Sequence, residues 1–475
     1  MKRPLIITIV GLVILLVVLI KLDPFSILSP KSPYLCKDCN LIVITLTNLR
    51  YDHLSTDGYS RQTSPNLDAL AKESLVFDNA FSHSSWTLPE GISIFTSLYP
   101  YQHGVMDRYD GSVLSKNTPT LIDILNDKGY KTAAFTGGFD YDPRYGLTSR
   151  YQDHEECQDT GTTSISQYGK LKCTIPKALD WIKNNKGSKF FVHLQGFDTH
   201  CPFSKKGGGT FDPGYNGNID FSSCLWTFDK TDPIYKDGVK YFPVYSSAST
   251  TATQILLTQK DVDHLVALYD ESIKDSDTQI GDFLDQINSM GLDNNTIIVF
   301  TSEHGDMFGK YGRFMRGGPL RGTFYDDVLH IPLMMKIPNV NPARLNELVQ
   351  QVDIMPTILD ILGLKKPTSL SGKSMIPVIF YGKEINDYVF AGSEFHAAQD
   401  EMYVNKNTRI EMVRSKSWKL IKEMVLEDNP PAPSYELFDL GNDKEELHNL
   451  AGTNTDMLKS LEKILDNWSK AERKK

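Results

Sequence analysis

Four clusters of polar residues carry groups suited to chemistry on an anionic ester. Thr47-Asn48-Leu49-Arg50-Tyr51-Asp52, Asp198-Thr199-His200-Cys201-Pro202 and Ser302-Glu303-His304-Gly305-Asp306 each follow an apolar run. The fourth, Ser85-Trp86-Thr87-Leu88-Pro89-Glu90-Gly91, opens an apparent helix from Ile92 to Leu98. A hydroxyl at a helix N-terminus is well placed for anionic chemistry, because free backbone N–H groups and the helix dipole favour negative charge there. Each cluster also has a plainer reading. Thr87 is a good N-cap residue, Glu303-His304 a solvated loop pair, His200 before Pro202 a satisfied loop histidine, and Asn48 a turn cap. Convergence on strand ends favours a site, since ligands of open α/β sheets bind beyond the carboxyl ends of strands.

The elements that must position these clusters are short, buried strands alternating with helices. Leu41-Ile42-Val43-Ile44-Thr45-Leu46, Thr132-Ala133-Ala134-Phe135, Phe190 to Leu194, Thr296 to Phe300 and Leu333 to Ile337 are apolar runs of the kind found in parallel sheets covered on both faces. Helical spacing marks Asn66 to Leu75, Thr120 to Lys128, Ile175 to Asn185 and the long stretch Asp261 to Met290. The alternation predicts an α/β fold with a mostly parallel central sheet sandwiched by helices. Beyond about residue 375, Tyr388 to Phe390, Thr408 to Val413 and Trp418 to Ile421 suggest antiparallel strands, and Thr455 to Lys470 a closing helix. These make a smaller C-terminal α+β subdomain, 376–475, after a main domain spanning 40–375. Residues 202–250, rich in Gly, Ser, Thr and Tyr, form a long surface insertion that would shape a pocket entrance.

At 475 residues the chain exceeds one ordinary core. Its net charge of -9, with no long basic run, argues against a nucleic-acid partner. Lys2 and Arg3 precede an apolar run from Leu5 to Ile20, and Lys21 follows. The positive residues stay in the cytoplasm, so residues 1–21 are expected to anchor a single-pass protein whose main domain is extracytoplasmic, with 22–39 as linker. A cleaved signal peptide is the alternative, but no small-x-small site follows the run. Six cysteines suit that location as disulfides; Cys157–Cys173 and Cys201–Cys224 are the nearest pairings, and Cys36 and Cys39 form a C-x-x-C.

The order of the clusters resembles the sulfatase family of the alkaline phosphatase superfamily, from about Asn40 to Leu450. Leu49-Arg50-Tyr51-Asp52-His53-Leu54 is similar to the family's D-D-L-R-x-D-H-L start, and Ser64-Pro65-Asn66-Leu67-Asp68-Ala69-Leu70-Ala71 to T-P-N-L-D-x-L-A. Thr96 to Pro100 with His103-Gly104-Val105 resembles T-G-x-Y-P-x-x-H-G-V, and Asn295 to Gly305 resembles N-T-x-V-x-F-T-S-D-H-G. Arg321 to Asp326 is similar to K-G-T-x-Y-E, Asp353 to Thr357 matches D-I-x-P-T, and Tyr435 to Leu440 with Glu446 and Asn449-Leu450 resembles the C-terminal ending. The resemblance implies an alkaline-phosphatase-like fold and one divalent cation, usually calcium. It also implies a nucleophile in C-x-P-x-R whose cysteine is oxidised to formylglycine.

The chain departs from that pattern. Thr87 stands at the cysteine, Gly91 at the arginine, Thr47 and Asn48 at the paired aspartates, Glu303 at the third aspartate and Arg321 at the lysine of K-G-T. Thr136-Gly137-Gly138-Phe139 lacks both basic residues that some sulfatases carry there. Thr87 cannot become formylglycine, but superfamily relatives acting on phosphoesters use a threonine nucleophile. By resemblance the metal would then be held by Glu303, His304 and Asn48, with Thr47 beside them, while His200 and Arg321 bind the anion or protonate the leaving oxygen. The single carboxylate and the imidazole suit zinc or manganese as well as calcium. Two readings follow. One is a hydrolase or transferase acting on a sulfate, phosphate or phosphonate ester, with a sulfated glycan or a phospholipid-type molecule as substrate. The other is a catalytically degenerate pseudoenzyme that binds a glycan or protein at the cell surface.

Overall fold

Strand β1 (Asn40–Leu46) is buried along its whole length, and its alternating side chains feed two cores. Leu41 and Val43 join one hydrophobic cluster, whereas Ile42, Ile44 and Leu46 join the other. A strand buried on both faces needs cover on both, which is why the sheet is sandwiched by helices. The computed structural model describes residues 35–106, 108, 111–157, 169–203, 209–219, 221–227, 232–246, 254–316, 323–395 and 407–473. Both the N-terminal apolar run and Arg321 lie outside the described residues. No helix among the described residues is long and apolar enough to cross a membrane.

The sheet continues through β2 (Leu75–Phe81), β3 (Lys131–Thr136), β4 (Asp153–Glu156) and β5 (Phe190–Gly196). An insertion follows with strands β6 (Leu225–Trp226), β7 (Ile234–Lys236), β8 (Val239–Ser246) and β9 (Gln254–Thr258). The central sheet resumes with β10 (Thr296–Thr301), β11 (His330–Ile331), β12 (Leu333–Lys336) and β13 (Ala343–Gln350). Its order among the described residues is β11-β2-β12-β10-β1-β5-β3-β4, with β13 added to β2. Strands β10, β1, β5, β3 and β4 are mutually parallel. Strand β12 runs against both β10 and β2, so β2 points the same way as β10.

Two sequence expectations need correction. The helical spacing from Asn66 to Leu75 holds only for Pro65–Ala71. Leu75 instead opens β2, where Leu75, Val76 and Phe77 are buried from both sides. The insertion expected at 202–250 carries, among the described residues, a four-stranded antiparallel sheet, and Phe242, Val244 and Leu257 bury its inner face against the main core. It extends past residue 250, through β9, into the capped helix Gln259–Ser289.

The C-terminal subdomain is the antiparallel sheet β14 (Val389–Phe395), β15 (Thr408–Arg414), β16 (Trp418–Val425) and β17 (Ser434–Asp439), covered by the helix Thr455–Glu472. An ion-pair network joins it to the main domain. Lys419, fully buried, reaches Asp326 at 2.7 Å and Glu446 at 2.6 Å. Lys310 pairs with Asp327 and Glu446, and Arg50 pairs with Asp327 at 2.9 Å. Three disulfides, Cys36–Cys39, Cys157–Cys173 and Cys201–Cys224, use all six cysteines.

Candidate active site

Because β10, β1, β5 and β3 are parallel neighbours, their carboxyl ends present Ser302 to Asp306, Thr47-Asn48, Asp198 to His200 and Gly137 to Tyr141 along one sheet edge. The segment after β2, running in the same direction, brings Thr87 to that edge. Parallel pairing therefore gathers residues that lie more than two hundred positions apart in the chain.

Thr87 is the first residue of the buried helix Thr87–Thr96. The N-cap is Trp86, in an extended conformation, and it caps through no side-chain bond. Thr87 is thus not spent as a cap. Its Oγ1 lies 3.3 Å from His304 Nε2. The other ring nitrogen, Nδ1, sits 2.8 Å from the Gly305 carbonyl, which only an N–H can satisfy. The Nε2 lone pair accordingly faces Thr87. Burial holds His304 well below the usual histidine value, with the positive charge of Arg316 adding to the effect.

Glu303 is completely buried. Its Oε1 accepts a bond from the Tyr141 hydroxyl at 2.7 Å, and its Oε2 has no partner. Burial pushes its carboxyl up to about 7, an effect opposed by the tyrosine bond. Asn48 has φ of 68°, a left-handed conformation that asparagine tolerates. Its Nδ2 donates to Asp306 Oδ2 at 2.9 Å, and its Oδ1 has no partner. Burial pushes Asp306 up to about 6. Thr47 Oγ1 accepts from Gln195 Nε2 at 2.8 Å, and Gln195 Oε1 accepts from Gly137 N at 2.7 Å. This chain of bonds ties the ends of β1, β5 and β3 together.

His200 Nδ1 donates to the Cys201 carbonyl at 2.6 Å, so its Nε2 accepts from Arg316 NH1 at 3.4 Å. Burial, followed by the Arg316 charge, lowers it to about 3. As placed, His200 offers a lone pair rather than a proton. The cation beside it is Arg316.

Three residues of this edge carry no signal that singles them out in the sequence: Tyr141, Arg108 and Arg316. Asp306 was within reach, two positions after His304 in the same cluster. Tyr141 fills the space beside Gly91. A Cβ on Gly91 would stand 2.7 Å from the Tyr141 hydroxyl oxygen and 2.8 Å from two ring carbons. Arg108 is fixed by Asp140 through bonds of 2.5 and 2.6 Å.

The donor set can be tested for a divalent cation. Fully buried oxygens without a hydrogen-bond partner mark places that an ion or water completes, and Glu303 Oε2 and Asn48 Oδ1 are two such atoms at the same sheet edge. A carboxylate and an amide oxygen are hard ligands suited to such an ion, so these residues fit it. Among the described residues, the one group of three His, Cys, Asp or Glu ligand atoms close enough to share a metal is His200, Cys201 and Cys224. The Cys201–Cys224 disulfide removes the thiolates from that group.

Residues 39–364 match the family described as Sulfatase, and residues 320–472 match N-sulphoglucosamine sulphohydrolase, C-terminal. Arylsulfatase K of Xenopus laevis is 25% identical over 434 residues, covering 84% of this chain and 77% of that protein. Arylsulfatase K of Gallus gallus is 24% identical over 479 residues, covering 92% and 83%. The crystal structure of the phosphonate monoester hydrolase of Agrobacterium radiobacter has a TM-score of 0.69 at 19% identity, over 91% of this chain and 96% of that one. A 2-O GAG sulfatase gives the same score and identity over 92% of each chain.

Proposed function

This chain belongs to the sulfatase family of ester hydrolases, and we propose that it cleaves a sulfate ester with Thr87 as the nucleophile. The observation that carries the reading is the pairing of Thr87 Oγ1 with the lone pair of His304 Nε2, 3.3 Å apart, at the start of the helix Thr87–Thr96.

In this reading the Thr87 oxygen forms a bond to sulfur as the ester S–O bond breaks. His304 Nε2 takes the hydroxyl proton and passes it to the departing alkoxide, which leaves as an alcohol. Water then cleaves the threonine sulfate, releasing sulfate and restoring the hydroxyl. The sequence placed His304 among the metal ligands. Its orientation toward Thr87 supports the proton-handling role, leaving Glu303, Asn48 and Thr47 as the residues that would hold the cation. Family members bind one divalent metal ion; when bound, it neutralises charge on the sulfate oxygens. Tyr141 and Asp306 orient the cation-binding oxygens of Glu303 and Asn48. An unmodified hydroxyl nucleophile equally suits a phosphate or phosphonate ester, and that is the second reading.

The substrate is proposed to be a sulfated saccharide, since a fold neighbour at 18% identity is complexed with its substrate D-glucosamine-2-N,6-O-disulfate. Export past a membrane tethered by Leu5 to Ile20 belongs to the same proposal, and three disulfides support an oxidising compartment.

Turnover of an aryl sulfate, a phosphate diester and a phosphonate monoester, with metal content measured on the same sample, tests the reading. Thr87→Ala should remove more than about a thousandfold of turnover, as loss of a nucleophile does, and Thr87→Ser should keep part of it. Unchanged turnover in a folded Thr87→Ala protein would sink the assignment.

A further inference from the structure

The sulfate-ester reading, on which this inference rests, brings a negative group to an edge that has lost the basic residues of two stretches. Gly91 and the segment Thr136 to Phe139 are neutral, and His200 is oriented as an acceptor. Two arginines from outside that pattern converge instead on Trp86, the residue directly before Thr87. The Arg316 guanidinium carbon lies 5.2 Å from the indole centroid and that of Arg108 lies 5.5 Å from it.

They arrive from different parts of the chain. Arg108 follows the short helix Pro100–His103 and is aimed by its paired bonds to Asp140. Arg316 follows the Phe308–Phe314 bridge, is 7% exposed, and donates NH1 to His200. Arg108 is held in place by Asp140, and the positive charge that the two guanidinium groups bring beside one ring favours an oxyanion next to them. The planar fork of a guanidinium also matches the tetrahedral oxygens of a sulfate in two-point hydrogen bonds. Trp86 faces both cations through its ring quadrupole and holds them apart from bulk water.

We propose that Arg316 and Arg108, gathered on Trp86, form the pocket that binds the anionic oxygens of the ester group, in place of the cations absent at Gly91 and at 136–139. Arg316, which also fixes His200, is the residue nearer the reacting group. Arg108 closes the outer side.

Calorimetric titration of inorganic sulfate into the full chain carrying Thr87→Ala reads this binding without turnover. Adding Arg316→Gln should weaken sulfate roughly 10- to 100-fold, the range for losing hydrogen bonds to a charged group. Arg316→Lys should weaken it less, because charge is kept and the fork is lost. Arg108→Gln, on a more exposed residue, should also weaken it and serves if Arg316→Gln does not fold. Unchanged sulfate affinity in a folded arginine variant overturns the proposal, as does failure of the Thr87→Ala protein to bind sulfate at all. Sulfate binding that depends on both arginines, in a parent protein that turns over no ester, supports the pocket while removing the hydrolase reading.

Discussion

The Tyr141 hydroxyl donates to Glu303 Oε1 at 2.7 Å while its ring lies over Gly91, so one tyrosine both occupies the place of an absent side chain and orients a buried carboxylate. Tyr141→Phe removes the hydroxyl that donates to the buried Glu303 Oε1. Loss of a hydrogen bond that lowers the carboxyl moves Glu303 above about 7 and leaves less of it ionised at neutral pH. Divalent-cation affinity, measured by calorimetry, should fall about tenfold, the lower end of what loss of an orienting partner costs.

The same contact makes Gly91 intolerant of a side chain. Gly91→Ala should cost about 1–3 kcal/mol through overpacking against the Tyr141 ring. Combining it with Tyr141→Leu should cost less than the sum of the two single changes. Denaturant unfolding of the four proteins measures the coupling, and strict additivity would contradict the packing described.

Lys419 is shared by the buried Glu446 and the part-buried Asp326 at the seam between the domains. Lys419→Met would take the shared cation from Asp326 and Glu446, which keep Arg414 and Lys310, so the cost should be up to about 3 kcal/mol, the lower end for breaking a buried pair. Lys419→Met with Glu446→Gln should recover part of that loss. Thermal melting of the two variants checks the order.

His103 predicts a pH dependence of stability. Burial lowers it to about 3, against about 6.5 in an unfolded chain. Between those values the unfolded chain binds the extra proton. Its contribution is thus complete above pH 6.5 and is lost as pH falls toward 3, at about 1.4 kcal/mol per pH unit. His103→Asn keeps an acceptor for the Val105 N–H, which His103 Nδ1 takes at 3.2 Å, and removes the titration. The stability lost between pH 6.5 and 5 should then shrink by about 2 kcal/mol. An unaltered slope in urea titrations at the two pH values would refute this.

What the sequence made legible was whatever rests on local pattern. β1, β5 and β10 announce themselves as short apolar runs because they are buried on both faces, and the clusters that follow them had to share an edge once the strands were parallel. β2 was hidden because Leu67, Leu70 and Leu75 keep helical spacing across the Lys72-Glu73-Ser74 turn, so a helical period absorbed the first strand residue. Thr87, Glu303, His304 and Asn48 could be named from their places at strand and helix ends. Tyr141, Arg108 and Arg316 could not. They reach the edge from irregular segments, where no periodicity reports which way a side chain points.

The disulfide-closed turn Cys36–Cys39 delivers the chain to β1 at the sheet's amino edge, whereas Thr87 stands beyond the carboxyl edge. The seven residues of β1 separate the two by roughly 23 Å at about 3.3 Å per residue. The chain therefore enters the fold at one edge of the sheet, and Thr87 stands at the opposite one.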